Sequence, residues 1–368
     1  MERPQIEDNM EIKELFFSAL QTALLNRPVK LELFSHLSDE DWQKLYDVSK
    51  DHGLLAVVFN TVTQLPNELQ PPHDLKLNWI VSVERIHAKF GIQIKTAHSL
   101  SEYLQNNGVQ LMIMKGLSLA PYYPDPSDRE FGDIDIYTFG QFDLSNRLVQ
   151  DRGVEVNMEN DKHSVFRING ILVENHLIFL AFYMKVGRMI NDYLQKICTP
   201  DKCHNVDGLL FPDADFNVIF LLRHLSSHFS KGRSSIRNVV DWGLFLINDF
   251  DKLNLSECEH ILRETGMLTA YNVFTKVAAD VLGTDFSKCY IGKPDEKLAA
   301  KVLNEIYETK LRNDHYNFVG TMKHTLSVLS GNRWKYGYLL PDKFWGEITW
   351  RSIRTGVKMF IEKIKIRH

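Results

Sequence analysis

Two aspartates at alternate positions of one short stretch are the residues in this sequence best suited to chemistry. The stretch reads GDIDI over 132–136, so Asp133 and Asp135 alternate with isoleucines. This period of two is typical of a β-strand and would place both carboxylates on one face, about 7 Å apart. Paired carboxylates bind divalent metal ions, but two ordinary aspartates on a solvent-facing edge strand give the same pattern. Both interpretations are open at this point.

Residues on either side of the pair could complete a phosphate-handling site. Upstream, Gly116 would let backbone N–H groups approach phosphate oxygens, and Lys115 would add positive charge. Arg129, on the loop before the aspartates, could bind phosphate in a bidentate manner. Glu174, on a downstream hairpin, would be a third carboxylate for holding two metal ions. For Lys115 and Arg129, a surface salt bridge is the alternative.

The first part of the chain is predicted to be helical. Apolar residues recur at helical spacing over 11–26 and 39–58. The segment 65–74 concentrates proline and polar residues and is predicted to be a connection. Helical periodicity resumes over 74–106, as one long helix or two.

Strands follow in the middle of the chain. The apolar segment 109–115 predicts a short buried strand, and the alternation over 131–138 predicts a second. A hairpin is predicted to turn at Asn169 and Gly170. From Asp215 onward the periodicity is again helical. The order of helices, strands and helices favours an α+β protein with helical lobes.

A longer set of motifs, from about residue 100 to residue 250, resembles a known family. The motifs are MKG at 114–116, Tyr123, Pro124, Arg129, GDIDI at 132–136, Val173, Glu174, His176, RHLSSHF at 223–229, Arg237 and Asp241. Together they resemble the uncharacterised bacterial nucleotidyltransferases of the DNA polymerase β-like nucleotidyltransferase superfamily.

The resemblance implies a mixed nucleotidyltransferase sheet flanked by helical regions at both ends of the chain. We therefore expect an N-terminal helical region over 1–95, a nucleotidyltransferase α/β core over 96–200 and a C-terminal helical lobe over 201–368. The active-site cleft would lie between the core and the lobe.

The resemblance also implies an activity. A nucleoside monophosphate would pass from a nucleoside triphosphate (NTP) to an unknown acceptor, with Mg²⁺ or Mn²⁺ as cofactor. The acceptor would be a sugar phosphate, a polysaccharide precursor or a macromolecule, and surface-polysaccharide metabolism is one setting that the family suggests. Asp133, Asp135 and Glu174 would be metal ligands and catalytic residues, and Glu174 would also orient or deprotonate the attacking hydroxyl.

Lys115, Gly116 and Ser118 are the expected phosphate-binding residues. Leu117 follows Gly116 where the superfamily has glycine or serine, and the interval from Gly116 to Asp133 is longer than usual. Metal binding at the aspartates therefore has the stronger sequence support.

Two histidines on one predicted helix are further candidates. His224 and His228 lie four residues apart, but Leu225 stands where a zinc protease has glutamate, which excludes that activity. The resemblance implies that they line the cleft with Arg237 and Asp241 and contact base, sugar or phosphate. A buried structural hydrogen-bond network is the alternative.

Two other histidines, His163 and His176, would act in catalysis or orient the acids. Neither has a catalytic role assigned from the sequence.

Composition excludes several classes of protein. With 43 basic and 47 acidic residues and a net charge of −4, the chain has no global attraction to nucleic acid. No export signal or membrane-spanning stretch is evident, so we expect a cytoplasmic protein. The four cysteines are expected to be free thiols. Cys198, Cys203 and His204 lack a second cysteine pair at zinc-site spacing, and we do not predict zinc there.

The C-terminal segment 351–368 is basic and amphipathic. It could make peripheral contact with an anionic membrane, or pack its apolar stripe on the protein, which is the commoner outcome.

Two rival functions remain open from the sequence. The irregular turn at Gly116 fits a non-catalytic nucleotide-binding scaffold that has kept the fold. A toxin-like nucleotidyltransferase acting on tRNA or protein is the other.

Overall fold

A computed structural model describes residues 5–158, 162–180, 185–309, 333–335 and 339. Within these ranges, no helix combines the length and the apolar character that a membrane span requires. The basic segment 351–368 lies outside the described residues, so both expectations for it stay predictions.

The N-terminal region is helical, as predicted, and its described residues form four α-helices. They are α1 (Gln5–Leu25), α2 (Asp39–Asp51), α3 (Leu55–Val62) and α4 (His73–Asn106). The predicted helix over 39–58 is two helices, because Gly53 adopts a φ of +66° that an α-helix cannot contain. The segment 74–106 forms one continuous helix.

The described residues form a sheet of seven strands in the order β3-β4-β5-β2-β1-β7-β6. They are β1 (Met112–Met114), β2 (Asp133–Tyr137), β3 (Asn157–Met158), β4 (His163–Ile168), β5 (Ile171–His176), β6 (His204–Val206) and β7 (Leu209–Phe211). β2 runs antiparallel to β1 and parallel to β5, so the sheet is mixed. The α+β class is confirmed. The sheet also extends past residue 200, where only helices were expected.

The hairpin between β4 and β5 turns where it was predicted. Asn169 and Gly170 have φ values of +52° and +77°, the left-handed conformation that a two-residue hairpin loop requires. Asp207 and Gly208 form the same kind of turn between β6 and β7.

Eight further helices complete the described fold. They are α5 (Gly116–Leu119), α6 (Phe142–Asp151), α7 (Lys185–Ile197), α8 (Ala214–Ser230), α9 (Ile236–Asp249), α10 (Leu255–Glu264), α11 (Leu268–Leu282) and α12 (Glu296–Glu308).

The sheet separates two hydrophobic cores. Ile113, Ile134, Ile136 and Val173 lie on one face and pack against residues of α4 and α6. Met112, Met114 and Tyr137 lie on the other face, in a larger core that runs from α1 to α12. The N-terminal and C-terminal helices therefore share one core, and the alternate residues of β2 face it.

Candidate active site

The three predicted carboxylates lie on one face of the sheet. Asp133 and Asp135 alternate along β2, and Asp135 stands directly opposite Glu174 on the parallel strand β5. β2 is an interior strand with β5 on one side and β1 on the other, so the edge-strand alternative for the aspartates is wrong. We call Asp133, Asp135 and Glu174 the acidic cluster.

Lys115 is the cation next to the acidic cluster. It follows β1, whose last residue Met114 pairs with Asp135, and its Nζ lies 2.5 Å from Asp135 Oδ1. Its φ of +48° is unusual for a residue with a side chain and carries a strain of about 1–3 kcal/mol. Burial alone would lower the pKa of Lys115, but the charge and hydrogen bond of Asp135, together with the charges of Asp133 and Glu174, raise that pKa above its ordinary value. The salt bridge therefore holds a charged lysine in place.

Two histidines contact the carboxylates from β4 and β5. His176 Nε2 lies 2.8 Å from Asp135 Oδ1 and 3.6 Å from Glu174 Oε2. His163 pairs with His176 across the two strands, and its Nε2 lies 3.8 Å from Glu174 Oε1. The structure thus brings both histidines to the acids, as the sequence suggested.

The three acids of the cluster differ in the neighbouring side chains that shift their pKa values. Burial would raise the pKa of Asp135, but Lys115 and His176 lower it far below its usual value. Burial would also raise the pKa of Glu174, but His176, His163 and Lys115 together lower it. For Asp133, burial and then the charge of Asp135 raise the pKa. None of the described residues forms an ion pair with Asp133, so the acidic cluster has negative charge available for a cation.

Helix α8 forms a wall beside the acidic cluster. Lys115 Nζ lies 5.8 Å from the centre of the Phe220 ring, and the rings of His224 and His228 are 4.2 Å apart. Burial, the charge of His228 and the charge of Lys115 lower the pKa of His224 far below its usual value. Burial and the charge of Lys231 lower the pKa of His228 to about 4. Both imidazoles are therefore neutral at pH 7.

Lys162 is a member of the site that the sequence analysis missed. Burial and the charge of Lys115 lower its pKa to about 8, while Asp135 and Glu174 act in the opposite direction. It arrives here because its carbonyl accepts hydrogen bonds from the N–H groups of Leu177 and Ile178, just after β5. The predicted hairpin does mark this pairing, because the ladder that pairs His163 with His176 brings Lys162 opposite Leu177 when it is extended by one pair.

Gly116 and Ser118 have local packing roles at the turn after β1. A Cβ at position 116 would lie 3.0 Å from the Phe131 ring, so packing against that ring already favours glycine at this position. Ser118 Oγ donates to the Lys115 carbonyl at 2.8 Å. Phosphate binding by either residue stays a prediction.

Arg129 and Asp241 bind each other rather than the acidic cluster. Arg129 donates from Nε to Asp241 Oδ1 at 2.9 Å and from Nη2 to Oδ2 at 2.7 Å, and both side chains are buried. The Tyr123 hydroxyl donates to the same Oδ1 at 2.8 Å. We call Arg129, Asp241 and Tyr123 the arginine clamp. It joins the loop before β2 to helix α9, which fits the buried-network alternative for Asp241.

Neighbouring contacts tie the same loop to both helical regions. Arg237, on α9, donates from Nη1 to the Glu130 carbonyl at 2.7 Å. From α4, Lys89 and Gln93 donate to the Phe131 carbonyl at 2.9 and 3.1 Å. The backbone that leads into β2 is thus held from two sides. A direct contact of Arg129 or Arg237 with nucleotide stays a prediction.

Asp128 is anchored at the start of this loop. It lies 2.8 Å from His87 Nε2 and accepts a hydrogen bond from Asn60 at 2.6 Å. Burial raises the pKa of Asp128, as it does that of Asp133. Asp128 is buried, whereas Asp133 is partly accessible, and of the two only Asp128 has its oxygens engaged by neighbouring side chains.

The Cys198 and Cys203 thiols lie against Met112, with Sγ to Sδ distances of 3.7 and 3.5 Å. Burial raises the pKa of both thiols, so they are protonated at neutral pH.

Comparison with known proteins gives one family. A model described as an uncharacterised nucleotidyltransferase matches residues 38–283, more than half of the chain. This range contains the acidic cluster, Lys115, the α8 wall and the arginine clamp. Neither the search of curated proteins nor that of solved structures finds a match.

Proposed function

This chain belongs to the uncharacterised nucleotidyltransferase family, and we propose that it moves a nucleoside monophosphate from an NTP to an acceptor with the help of Mg²⁺ or Mn²⁺. The observation that carries the proposal is the acidic cluster, whose three carboxylates lie on one sheet face beside Lys115. The cytoplasm and surface-polysaccharide metabolism are the proposed setting.

The residues present fit a divalent metal ion. Carboxylate oxygens are the ligands that Mg²⁺ and Mn²⁺ prefer, and Asp133 has no ion pair among the described residues. Asp133, Asp135 and Glu174 would hold the metal. When bound, it would neutralise charge on the triphosphate and stabilise the in-line displacement.

The remaining side chains have separate tasks. Lys115 would supply positive charge to the triphosphate, since its ammonium already lies against Asp135. The neutral rings of His224 and His228 would line the nucleotide site from α8. Arg129, Arg237 and Asp241 would support the site by fixing the loop before β2.

In the reaction, Glu174 would accept the proton of the acceptor hydroxyl. The hydroxyl oxygen would form a bond to the α-phosphorus, and the bond from that phosphorus to the bridging oxygen would break. Pyrophosphate would leave with the electron pair of the broken bond. Because the pKa of Glu174 is lowered, this carboxylate is ionised at neutral pH and able to accept a hydrogen bond from the hydroxyl.

Label transfer from each of the four α-³²P-labelled NTPs tests this function. The wild-type protein, incubated with a cell extract and Mg²⁺ or Mn²⁺, is expected to move label to an acceptor, and the Glu174→Gln variant is not. Label on a small sugar phosphate would support the polysaccharide setting, whereas label on RNA or protein would support the toxin-like alternative. If NTP binds in a metal-dependent manner but no label is transferred, even with extract fractions that contain every class of acceptor, the scaffold alternative would be favoured.

A further inference from the structure

His163, Glu174 and His176 make a compact group of metal-binding atoms. One atom from each residue lies within 4.8 Å of the atoms of the other two. Glu174 lies between the rings, with Oε1 3.8 Å from His163 Nε2 and Oε2 3.6 Å from His176 Nε2. Both imidazoles therefore approach the same carboxylate through Nε2.

The orientation of His176 is fixed from its other side. Its Nδ1 lies 3.4 Å from the carbonyl oxygen of Ile178, which can only accept a hydrogen bond. Histidines that bind metals commonly donate one ring N–H to a backbone carbonyl and offer the other nitrogen to the ion. For His176 that other nitrogen is Nε2, which lies 2.8 Å from Asp135 Oδ1 and 3.6 Å from Glu174 Oε2. An ion that binds Nε2 would replace the hydrogen bond to Asp135 and leave the ring proton on Nδ1, facing the Ile178 carbonyl.

The pairing of strands β4 and β5 fixes the relative positions of His163, Glu174 and His176. His163 stands opposite His176 in the β4–β5 ladder, and their ring centres are 5.3 Å apart. His163 and His176 are both buried, and Glu174 is partly accessible. A site built on paired strands needs little rearrangement to receive an ion.

We propose that His163, Glu174 and His176 bind a divalent transition-metal ion, with Glu174 shared between this ion and the ion held by Asp133 and Asp135. The inference rests on the proposed function, because it names the second ion of that same active site. Two nitrogen donors and one carboxylate suit Mn²⁺, Co²⁺ or Zn²⁺, whereas Mg²⁺ takes oxygen ligands. The site would consequently discriminate between the two kinds of cation.

Spectroscopy of the wild-type protein tests the site without relying on activity. Mn²⁺ added to the protein, with no nucleotide, is expected to show hyperfine coupling to imidazole nitrogen in pulsed electron paramagnetic resonance. Co²⁺ is expected to give visible absorption typical of nitrogen ligation. A Mn²⁺ spectrum with oxygen ligands alone would overturn the proposal.

A variant series locates the bound ion. His163→Gln should raise the Co²⁺ dissociation constant at least about 10-fold, since even indirect partners of a metal change affinity by that factor. His228→Gln is the matched control, because His224 and His228 are the other close imidazole pair. Loss of the Co²⁺ spectrum in His228→Gln, with no change in His163→Gln, would overturn the proposal.

Failure of this inference can be separated from failure of the proposed function. If label transfer depends on Glu174 but Mn²⁺ shows no nitrogen coupling, only the transition-metal site is wrong. If nitrogen coupling is present but no NTP binds, the metal site stands and nucleotidyl transfer falls. Because His163 is buried, circular dichroism of His163→Gln establishes that the variant is folded before metal is added.

Discussion

The acidic cluster and the arginine clamp both hold carboxylates beside cationic side chains, but they differ in how many of those carboxylates are paired with the protein's own side chains. In the clamp, Asp241 receives two hydrogen bonds from Arg129 and one from Tyr123. In the acidic cluster, Lys115 contacts Asp135, while Asp133 has no ion pair among the described residues. A carboxylate that is fully paired with side chains of the protein stabilises the fold, whereas a carboxylate without an ion pair keeps its negative charge available for a bound cation.

The largest effect on activity is expected from a substitution in the acidic cluster. Asp133→Asn should lower label transfer at least about 10³-fold, because losing a metal ligand removes several kcal/mol of transition-state stabilisation. The measurement is the initial rate of label transfer at saturating metal.

The matched control for that variant is Asp128→Asn. Burial raises the pKa of Asp128 as it does that of Asp133, but the oxygens of Asp128 contact His87 and Asn60. Its variant should retain transfer within a few-fold. Equal loss in both variants would show that the effect is not specific to Asp133 and would contradict a metal-binding role for that carboxylate.

The next largest effect, on the stability of the fold, is expected from a substitution in the arginine clamp. Asp241→Ala should lower the free energy of unfolding by about 3–5 kcal/mol, because it leaves the Arg129 guanidinium buried without its counter-charge. Urea denaturation measures this change.

A double variant sharpens the result. Replacing the pair together, Arg129→Met with Asp241→Leu, should recover most of the stability, since apolar residues of similar size often replace buried ion pairs without loss. A double variant as unstable as Asp241→Ala would contradict a purely structural role for the clamp.

A smaller effect distinguishes the two cations. Lys115→Met should weaken NTP binding roughly 10- to 150-fold, the equivalent of losing one hydrogen bond to a charged group. The folded clamp double variant should bind NTP with nearly wild-type affinity. Calorimetric titration of both proteins with the same NTP measures the two affinities. Tighter NTP binding by Lys115→Met than by the clamp double variant would contradict this prediction.

The smallest effect is on stability against pH. The pKa of Asp133 is raised in the folded protein, so ionising it opposes folding increasingly as the pH rises through that pKa. Metal-free Asp133→Asn should therefore be more stable than wild type at pH 7, and the difference should shrink as the pH falls toward the ordinary carboxyl pKa. Urea unfolding in the presence of a chelator measures it. A difference that grows at acid pH would contradict the expected sign.

The sequence located the acids better than it located their partners. Alternation over 131–138 and the Asn169–Gly170 turn were enough to place Asp133 and Glu174 on strands, because both signals are local. The pairing of those two strands is a long-range contact, which the sequence suggested and the structure shows. The pairing of Arg129 with Asp241 joins positions far apart in the chain, and periodicity carries no information about such contacts. Lys162 was missed for a different reason, because the predicted hairpin about Asn169 and Gly170 was not extended by the one further pair that places Lys162 opposite Leu177.

Short elements were the other source of error. β6 and β7 have three residues each, too few for a hydrophobic pattern, although the Asp207–Gly208 turn between them is a recognisable hairpin signal. The break at Gly53 depends on one left-handed residue within a segment that is otherwise helical in pattern. Both features change the boundaries of elements and leave the acidic cluster where it was expected.

The most direct test of the account is calorimetric titration of wild type, Asp133→Asn, Asp128→Asn and the clamp double variant with four non-hydrolysable NTP analogues, with and without Mg²⁺. The account predicts metal-dependent binding of at least one analogue, abolished in Asp133→Asn and retained in the other two variants. Binding that survives in Asp133→Asn but disappears in the clamp double variant would place the nucleotide at the clamp and contradict the account.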